Sequence, residues 1–89
     1  MLKPTYSSQF GKDIKRIKKR GKSQDKLKKV LKKLIAEEQL SKSCKDHKLI
    51  GNYRGRRECH IEPDWLLIYK MSGTEITFER TGSHSDLFE

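Results

Sequence analysis

Hydrophobic residues in the first 36 positions recur with the 3.6-residue period of an α-helix. Phe10, Ile14 and Ile17 fall at i, i+4 and i+7, so they share one helical face. A longer stripe at i, i+3, i+4, i+7 and i+8 consists of Leu27, Val30, Leu31, Leu34 and Ile35. The pattern predicts two amphipathic helices.

The ends of these helices are marked by residues that cap or stop a helix. Ser7 or Ser8 can cap the first helix and Ser23 the second, because a serine hydroxyl accepts a bond from an unpaired N–H of the first turn. Gly21 can end the first helix. A linker this short predicts an antiparallel helical hairpin whose two stripes pack on a common partner.

The period changes to two in the second half, as is typical of β-strands. Residues 57–62, 65–69 and 75–80 are predicted strands, joined by turns at Pro63-Asp64 and Ser72-Gly73.

Two other segments complete the predicted fold. Residues 2–6 can form an edge strand, and residues 37–55 have the composition of a long loop. The sequence therefore predicts a single α+β domain over residues 1–89, in which an N-terminal helical hairpin packs on a small antiparallel β-sheet in the order β-α-α-β-β-β.

Strand parity assigns faces to the side chains of this sheet. Cys59 and Ile61 share the predicted core face of the first long strand, whereas His60 points to the opposite face. The run that begins at Trp65 is apolar at both parities, which favours a central strand covered on both sides.

The formal charge of +9 is concentrated in the helical half. Residues 1–36 contain 13 Lys or Arg and two Asp, whereas residues 37–89 carry a net charge of −2. Such a surface favours nucleic-acid phosphates, and the alternative is a solvated lysine-rich surface. The candidate phosphate contacts are Lys12, Lys15, Lys28, Lys32 and Arg57.

The sequence predicts a cytoplasmic protein. Its apolar runs are too short to span a bilayer, which takes roughly 20 residues, and its start lacks the apolar stretch of a signal peptide. Cys44 and Cys59 are too few for a disulfide framework, so we expect free thiols.

Three histidines in the second half, His47, His60 and His84, are candidates for acid and base catalysis, because an imidazole titrates at about pH 6.5. RNA cleavage without a metal needs a base for the 2′-hydroxyl, an acid for the 5′-oxygen and a cation for the phosphorane. His60, His84 and Arg80 have the right chemistry, and Asp64 can orient a histidine or act as the base. Residue types alone leave catalysis and incidental surface histidines equally open.

Two further interpretations concern metal binding and base stacking. Cys44, His47, Cys59 and His60 superficially resemble a metal-ligand set, but adjacent residues on a strand point to opposite faces, so we predict no metal site. Trp65 and Phe88 are candidates for stacking on RNA bases. The alternative is that Trp65 packs in the core and that Phe88 pins the chain end.

Four segments carry a family resemblance: residues 6–13, 45–49, 58–69 and 80–88. The most specific are His-x-Glu-Pro-Asp-Trp, which begins at His60, and the ending Arg-x-Gly-x-His-x-x-Leu-Phe, which begins at Arg80. Together they closely resemble the YafQ-type toxins of the RelE/ParE superfamily over almost the full chain.

The resemblance implies a microbial-RNase-like fold and an mRNA interferase. Such an enzyme cleaves messenger RNA in the ribosomal A site, contacts ribosomal RNA, needs no cofactor and is held inactive by a cognate antitoxin. By position, the resemblance assigns acid and base roles to His47, His60, Asp64 and His84 and the phosphate-stabilising role to Arg80, with Trp65 and Phe88 at the remaining functional positions. His84 is our choice for the acid, and His60 or Asp64 for the base.

Two of these expectations conflict at Arg80, and the conflict predicts an irregularity in the backbone. Ideal alternation puts Arg80 on the core side with Ile76 and Phe78, whereas its role requires it beside His60. The strand must therefore end or bulge near Glu79.

Two other functions fit the same sequence. One is a non-catalytic RNA- or ribosome-binding module, and the other is a ParE-like gyrase poison, which the histidine-rich ending disfavours. A toxic nuclease needs an inhibitor in its own cell, so we expect an acidic antitoxin that folds on this basic surface.

Overall fold

A five-stranded sheet with two helices on one face forms the body of the computed structural model, which describes residues 1–88 and leaves Glu89, the last residue of the predicted domain, outside. The strands are β1 (Lys3–Tyr6), β2 (His47–Lys48), β3 (Arg57–Glu62), β4 (Trp65–Ser72) and β5 (Glu75–Gly82). The helices are α1 (Ser8–Lys19), α2 (Gln24–Ile35) and α3 (His84–Phe88). Within residues 1–88 no helix has the length and hydrophobicity required to cross a membrane.

The helical hairpin is built as its sequence predicts. The Ser7 hydroxyl accepts from the Phe10 N–H at the start of α1, and the Ser23 hydroxyl accepts from the Lys26 N–H at the start of α2. Gly21 takes a φ of 76° just after α1, a backbone conformation that a glycine adopts without strain. The predicted caps and the predicted stop are therefore confirmed.

The strand order is β1-β5-β4-β3-β2, which confirms the α+β fold. The sheet is antiparallel from β2 to β5, but β1 runs parallel to β5 along its edge. The hairpin returns the chain beside its own start, where the Leu2 N–H donates to the Ile35 carbonyl at 2.8 Å. The predicted loop also contains two 3₁₀ turns, Lys42–Cys44 and Gly51–Tyr53, in addition to β2.

The two faces of the sheet have different environments. The face under α1 and α2 holds the larger core, which includes Cys59, Leu67 and Phe78. Cys44 packs against this core, and both cysteines are free thiols. The opposite face holds a smaller cluster formed by Leu66, Ile68 and Leu87, with Leu49 and Tyr53 packed against it. His60 pairs with Leu66 across β3 and β4, so it lies on this second, more open face.

The predicted irregularity in β5 is a β-bulge at Glu79. Tyr69 pairs with Phe78 and Ile68 pairs with Arg80, so Glu79 is the extra residue between the two pairs. Phe78 belongs to the core under the helices, whereas Ile68 belongs to the opposite cluster. The bulge thus turns Arg80 to the face that carries His60.

Helix α1 holds the bulged segment through two side chains. Ser7 Oγ donates to the Glu79 carbonyl at 2.7 Å while it caps α1. Asp13 is fully buried, and its Oδ2 accepts from Arg80 Nε at 2.8 Å and from the Thr81 N–H at 3.1 Å. A buried carboxylate is stable only when its oxygens are satisfied in this way.

Asp13→Asn is expected to destabilise the protein by about 3 kcal/mol, because it leaves the Arg80 guanidinium without its buried counter-charge. Urea unfolding followed by the fluorescence of Trp65, the single tryptophan, measures this change. The matched control is Glu75→Gln, an exposed acid on the same strand as Arg80, which should change stability by less than about 0.5 kcal/mol. A loss below about 1 kcal/mol for Asp13→Asn would contradict the role given to this carboxylate.

Candidate active site

Two histidines and a carboxylate meet where the β3–β4 turn approaches α3. The ring centroids of His60 and His84 are 6.2 Å apart. Asp64 Oδ1 accepts from the His84 N–H at 3.0 Å and lies 3.5 Å from His84 Nδ1. The structure therefore brings three of the predicted catalytic residues together, although Asp64 and His84 are 20 residues apart in the sequence.

Glu58, on the same face of β3 as His60, adds a carboxylate to this group. Its side chain is only 6% exposed, and its Oε1 lies 3.3 Å from His60 Nε2 and 3.6 Å from His47 Nε2. The other nitrogens of these rings face carbonyls, since His60 Nδ1 lies 3.2 Å from Pro63 O and His47 Nδ1 lies 2.6 Å from Lys45 O. Each ring thus lies between a backbone carbonyl and the Glu58 carboxylate, which brings the two histidines to the same side chain on the open face of the sheet.

The loop that delivers His47 is anchored by the residue before it. Asp46 Oδ1 accepts from the Tyr69 hydroxyl at 2.7 Å and from Arg57 Nε at 3.2 Å. Burial of Tyr69, together with its bond to Asp46, raises the pKa of the phenol well above its usual value, so this hydroxyl stays a donor. The anchor holds β2 against β3 and His47 beside Glu58.

Helix α3, which begins at His84, is seated on α1 through Asp86. Arg20 Nη2 donates to Asp86 Oδ1 at 3.0 Å, Arg16 Nη1 lies 3.2 Å from the same oxygen, and the Ser83 N–H donates to Oδ2 at 2.9 Å. The bond from Arg20 holds the pKa of Asp86 well below its usual value. A Cβ at Gly82 would lie 2.8 Å from Asp86 Oδ2, so only glycine allows this close approach.

Arg80 is fixed by its ion pair with Asp13. Its Nε and Nη2 donate to the two carboxylate oxygens at 2.8 and 3.2 Å, which sets the plane of the guanidinium. The bond to Asp13 raises the pKa of Arg80 above its usual value, and Nη2 also lies 3.5 Å from the Asp86 carbonyl in α3. Arg80 therefore carries a permanent positive charge, and its contact with the Asp86 carbonyl places that charge next to α3, the helix that begins at His84.

Open grooves lie on both sides of the histidine and carboxylate group. A groove of about 360 Å³ is lined by His60 with Ser43, Lys26 and Lys45. A second groove of about 220 Å³ is lined by Asp64 with Arg20 and Lys22. Lys22 and Lys26 each bond to Glu62 at 2.8 Å, and these bonds lower the pKa of Glu62 to about 2.

The family is decided by a sequence profile. The profile of the YafQ family, described as a bacterial toxin of type II toxin–antitoxin systems, matches residues 2–89. The chain belongs to this family. The mRNA interferase toxin YafQ of Escherichia coli strain K12 is 46% identical over 84 residues, which cover 93% of this chain and 91% of that protein.

Two crystal structures extend the comparison of this YafQ-family chain. The crystal structure of the E. coli DinJ–YafQ complex contains a chain that matches with a TM-score of 0.93 at 43% identity, and 100% of both chains is covered. A metal-bound toxin from Helicobacter pylori matches with a TM-score of 0.92 at 40% identity, over 99% of this chain and 100% of that one.

The two stacking candidates of the YafQ-type resemblance occupy different environments. Trp65 is 1% exposed, and its Nε1 donates to Thr81 Oγ1 at 2.9 Å. The prediction that Trp65 stacks on RNA is therefore wrong for this conformation, because the ring has its hydrogen bond and its packing inside the protein. Phe88 is 44% exposed, with its ring centroid 5.6 Å from that of His84, so it remains a candidate.

The predicted phosphate contacts also differ from one another. Lys12, Lys15, Lys28 and Lys32 are exposed on α1 and α2. These helices cover the face of the sheet opposite to His60, so the four lysines form a surface separate from the histidine group. Arg57 is half-buried and donates to Asp46, so it anchors the His47 loop, and its contact with phosphate stays a prediction.

Sequence reasoning missed Glu58 and Tyr53. Glu58 had a signal, because it lies two positions before His60 and so shares its strand face. Tyr53 had none, because it lies in the predicted loop and meets Phe88 only in the folded chain, where the ring centroids are 5.5 Å apart.

The bond from Arg20 to Asp86 predicts a loss of stability in acid. The depressed pKa of Asp86 means that its contribution is present above the unfolded value of about 3.9 and is lost as the pH falls below it. We expect Asp86→Asn to be less stable than the wild type by about 1–2 kcal/mol at pH 7, and we expect the difference to shrink towards pH 2. Urea unfolding at the two pH values measures it, and a pH-independent difference would contradict the assignment.

Proposed function

We propose that this chain is the toxin of a type II toxin–antitoxin pair and an endoribonuclease that cleaves mRNA in the ribosomal A site without a metal. The observation that carries the proposal is the pair of imidazoles, His60 and His84, 6.2 Å apart and each beside a carboxylate. The E. coli relative at 46% identity is an mRNA interferase toxin, which supports the same substrate class.

The proposed reaction is transfer of the RNA phosphate to the neighbouring 2′-oxygen. The base removes the 2′-hydroxyl proton, the 2′-oxygen attacks phosphorus, and the bond to the 5′-oxygen breaks as the acid protonates it. The products are a 2′,3′-cyclic phosphate and a free 5′-hydroxyl. The chain supplies the base, the acid and positive charge for the phosphorane.

His84 is the proposed acid and Asp64 the proposed base. The side chain of His84 is 60% exposed, and its Nδ1 faces Asp64, so that Nε2 is the nitrogen left for the leaving oxygen. Both nitrogens of His60 already face acceptors, whereas the Asp64 side chain is 69% exposed. Asp64 is therefore the better placed of the two candidate bases, and His60 is the alternative base.

Arg80 is the proposed source of positive charge for the phosphorane. Asp13 engages the Nε side of its guanidinium and fixes the direction of the opposite edge. Donors that are oriented before the reaction stabilise developing charge without reorganising during it. His47 completes the group as a third imidazole, with its Nε2 3.6 Å from the Glu58 oxygen that His60 also faces.

Two surfaces divide the contacts with the ribosome. The lysines of α1 and α2 supply sequence-independent attraction to ribosomal RNA, because a phosphate backbone attracts cations whatever its bases. The open face of the sheet receives the message. Translating ribosomes are found in the cytoplasm, which is where we propose that this toxin acts.

The proposed inhibitor is an acidic antitoxin. The E. coli chain that matches with a TM-score of 0.93 was crystallised in complex with DinJ, which supports a partner of this kind. A formal charge of +9 on 89 residues favours an acidic partner segment.

Substitution of the proposed acid and base tests this assignment in cells. His84→Ala and Asp64→Asn are each expected to abolish growth inhibition, because loss of a general acid or base slows a reaction by about 10²–10⁴-fold. His60→Ala is expected to reduce growth inhibition, because His60 is the alternative base and lines the groove beside His84. Growth after induction, together with primer extension on a translated message, measures the effect.

Met71→Ala is the matched control, because this exposed residue of β4 pairs with Ile76 on the other face of the sheet and its loss should leave toxicity unchanged. Full toxicity of both His84→Ala and His60→Ala would remove the proposed mechanism. All four variants should unfold at a urea concentration near that of the wild type, so that loss of toxicity reports chemistry.

A further inference from the structure

Four rings form a continuous row on the open face of the sheet. Tyr53 and Phe88 meet edge to face with centroids 5.5 Å apart and an interplanar angle of 80°. Phe88 lies 5.6 Å from His84, and His84 lies 6.2 Å from His60. The row therefore leads from the proposed cleavage group outwards to Tyr53, a residue that the proposed reaction does not use.

Tyr53 is held rigidly enough to act as a binding residue. Its hydroxyl donates to the Leu87 carbonyl at 3.2 Å, and Arg80 Nη2 lies 3.5 Å from the Asp86 carbonyl. The last carbonyls of a helix have no partner within it, so Tyr53 and Arg80 satisfy two unpaired groups of α3. Tyr53 thus fixes the position of Phe88, the final residue of that helix.

The outer end of the row has the exposure and charge of a nucleobase site. Phe88 is 44% exposed although two rings flank it, and Tyr53 is half-buried. Arg80 approaches α3, and Arg56 lies beside the bulge, where its Nε donates to Glu79 Oε1 at 2.7 Å. Aromatic faces next to guanidinium groups are how proteins bind unpaired bases and the phosphates that link them.

We propose that Tyr53 and Phe88 together form a binding site for one unpaired RNA base next to the cleaved phosphate. Phe88 supplies a face for stacking, and Tyr53 supplies a second wall of the site and holds Phe88 in place. The inference rests on the proposed function, because it places the base by its distance from His84. It extends that function by giving Tyr53 a role in binding and by naming an unpaired base, next to the cleaved bond, as a group of the RNA that the protein binds.

The test compares RNA with and without one base. Short single-stranded RNAs carry a 2′-O-methyl group at the cut nucleotide, which prevents attack, and an abasic sugar at one flanking position at a time. Binding to the wild-type protein and its variants is measured by NMR titration, which detects weak complexes. At one flanking position we expect base removal to weaken wild-type binding about tenfold.

Tyr53→Leu should bind the intact RNA more weakly, reduce the effect of base removal to about threefold, and bind the abasic RNA as the wild type does. A residue with a purely structural role would weaken binding of both RNAs equally. Tyr53→Phe keeps the ring without the hydroxyl and should keep the tenfold effect. Tyr6→Leu removes an exposed tyrosine from the opposite edge of the sheet and should also keep it.

Two results would overturn the proposal in distinguishable ways. An undiminished tenfold effect of base removal in Tyr53→Leu would exclude Tyr53 from the site while leaving the proposed function intact. Absence of RNA binding by the wild-type protein, with no shift of the Tyr53 or His84 signals, would remove the base site, whereas the proposed function fails only if a translated message is left uncut.

Discussion

The buried carboxylate of Asp13 is the interaction on which the open face of the sheet depends. It joins α1 to β5 immediately after the bulge at Glu79, and it binds Arg80 and the backbone of Thr81. Ser7 holds the bulge itself through the Glu79 carbonyl. Without the bulge Arg80 would point into the core under the helices. The bulge at Glu79, held by Ser7 and Asp13, therefore determines on which face of the sheet the Arg80 guanidinium lies.

The larger core and the candidate active site lie on opposite faces of one sheet. The face under the hairpin holds Phe10, Leu67 and Phe78 and accounts for most of the core. Within residues 1–88, α3 and the loop around Tyr53 pack on the opposite face, which holds the smaller cluster. Irregular segments therefore carry the candidate groups Asp64 and His84, whereas the regular strand β3 carries Glu58 and His60. This division is common where binding residues lie on loops positioned by a rigid scaffold.

Structural features that depend on local sequence patterns could be predicted from the sequence. Features that depend on contacts between side chains far apart in the chain could not. Periodicity and capping residues gave both helices, and the parity conflict at Arg80 gave the bulge. The partners of Asp13 lie 67 and 68 residues away, so no local pattern could reveal them. Trp65 could not be assigned either, because its burial depends on a hydroxyl at Thr81 that accepts its N–H. The assignment of catalytic positions rested on the family resemblance, since residue types alone left catalysis open.

The central claim, that imidazoles and carboxylates on the open face cleave translated mRNA, is tested most directly by mapping cut sites. One message is prepared in a translated and an untranslated form, and each is incubated with the toxin in the presence and absence of EDTA. The account predicts cuts in the translated message alone, unchanged by EDTA, with a 2′,3′-cyclic phosphate and a 5′-hydroxyl at the new ends. Equal cutting of both messages, loss of cutting in EDTA, or a 5′-phosphate at the new end would contradict it.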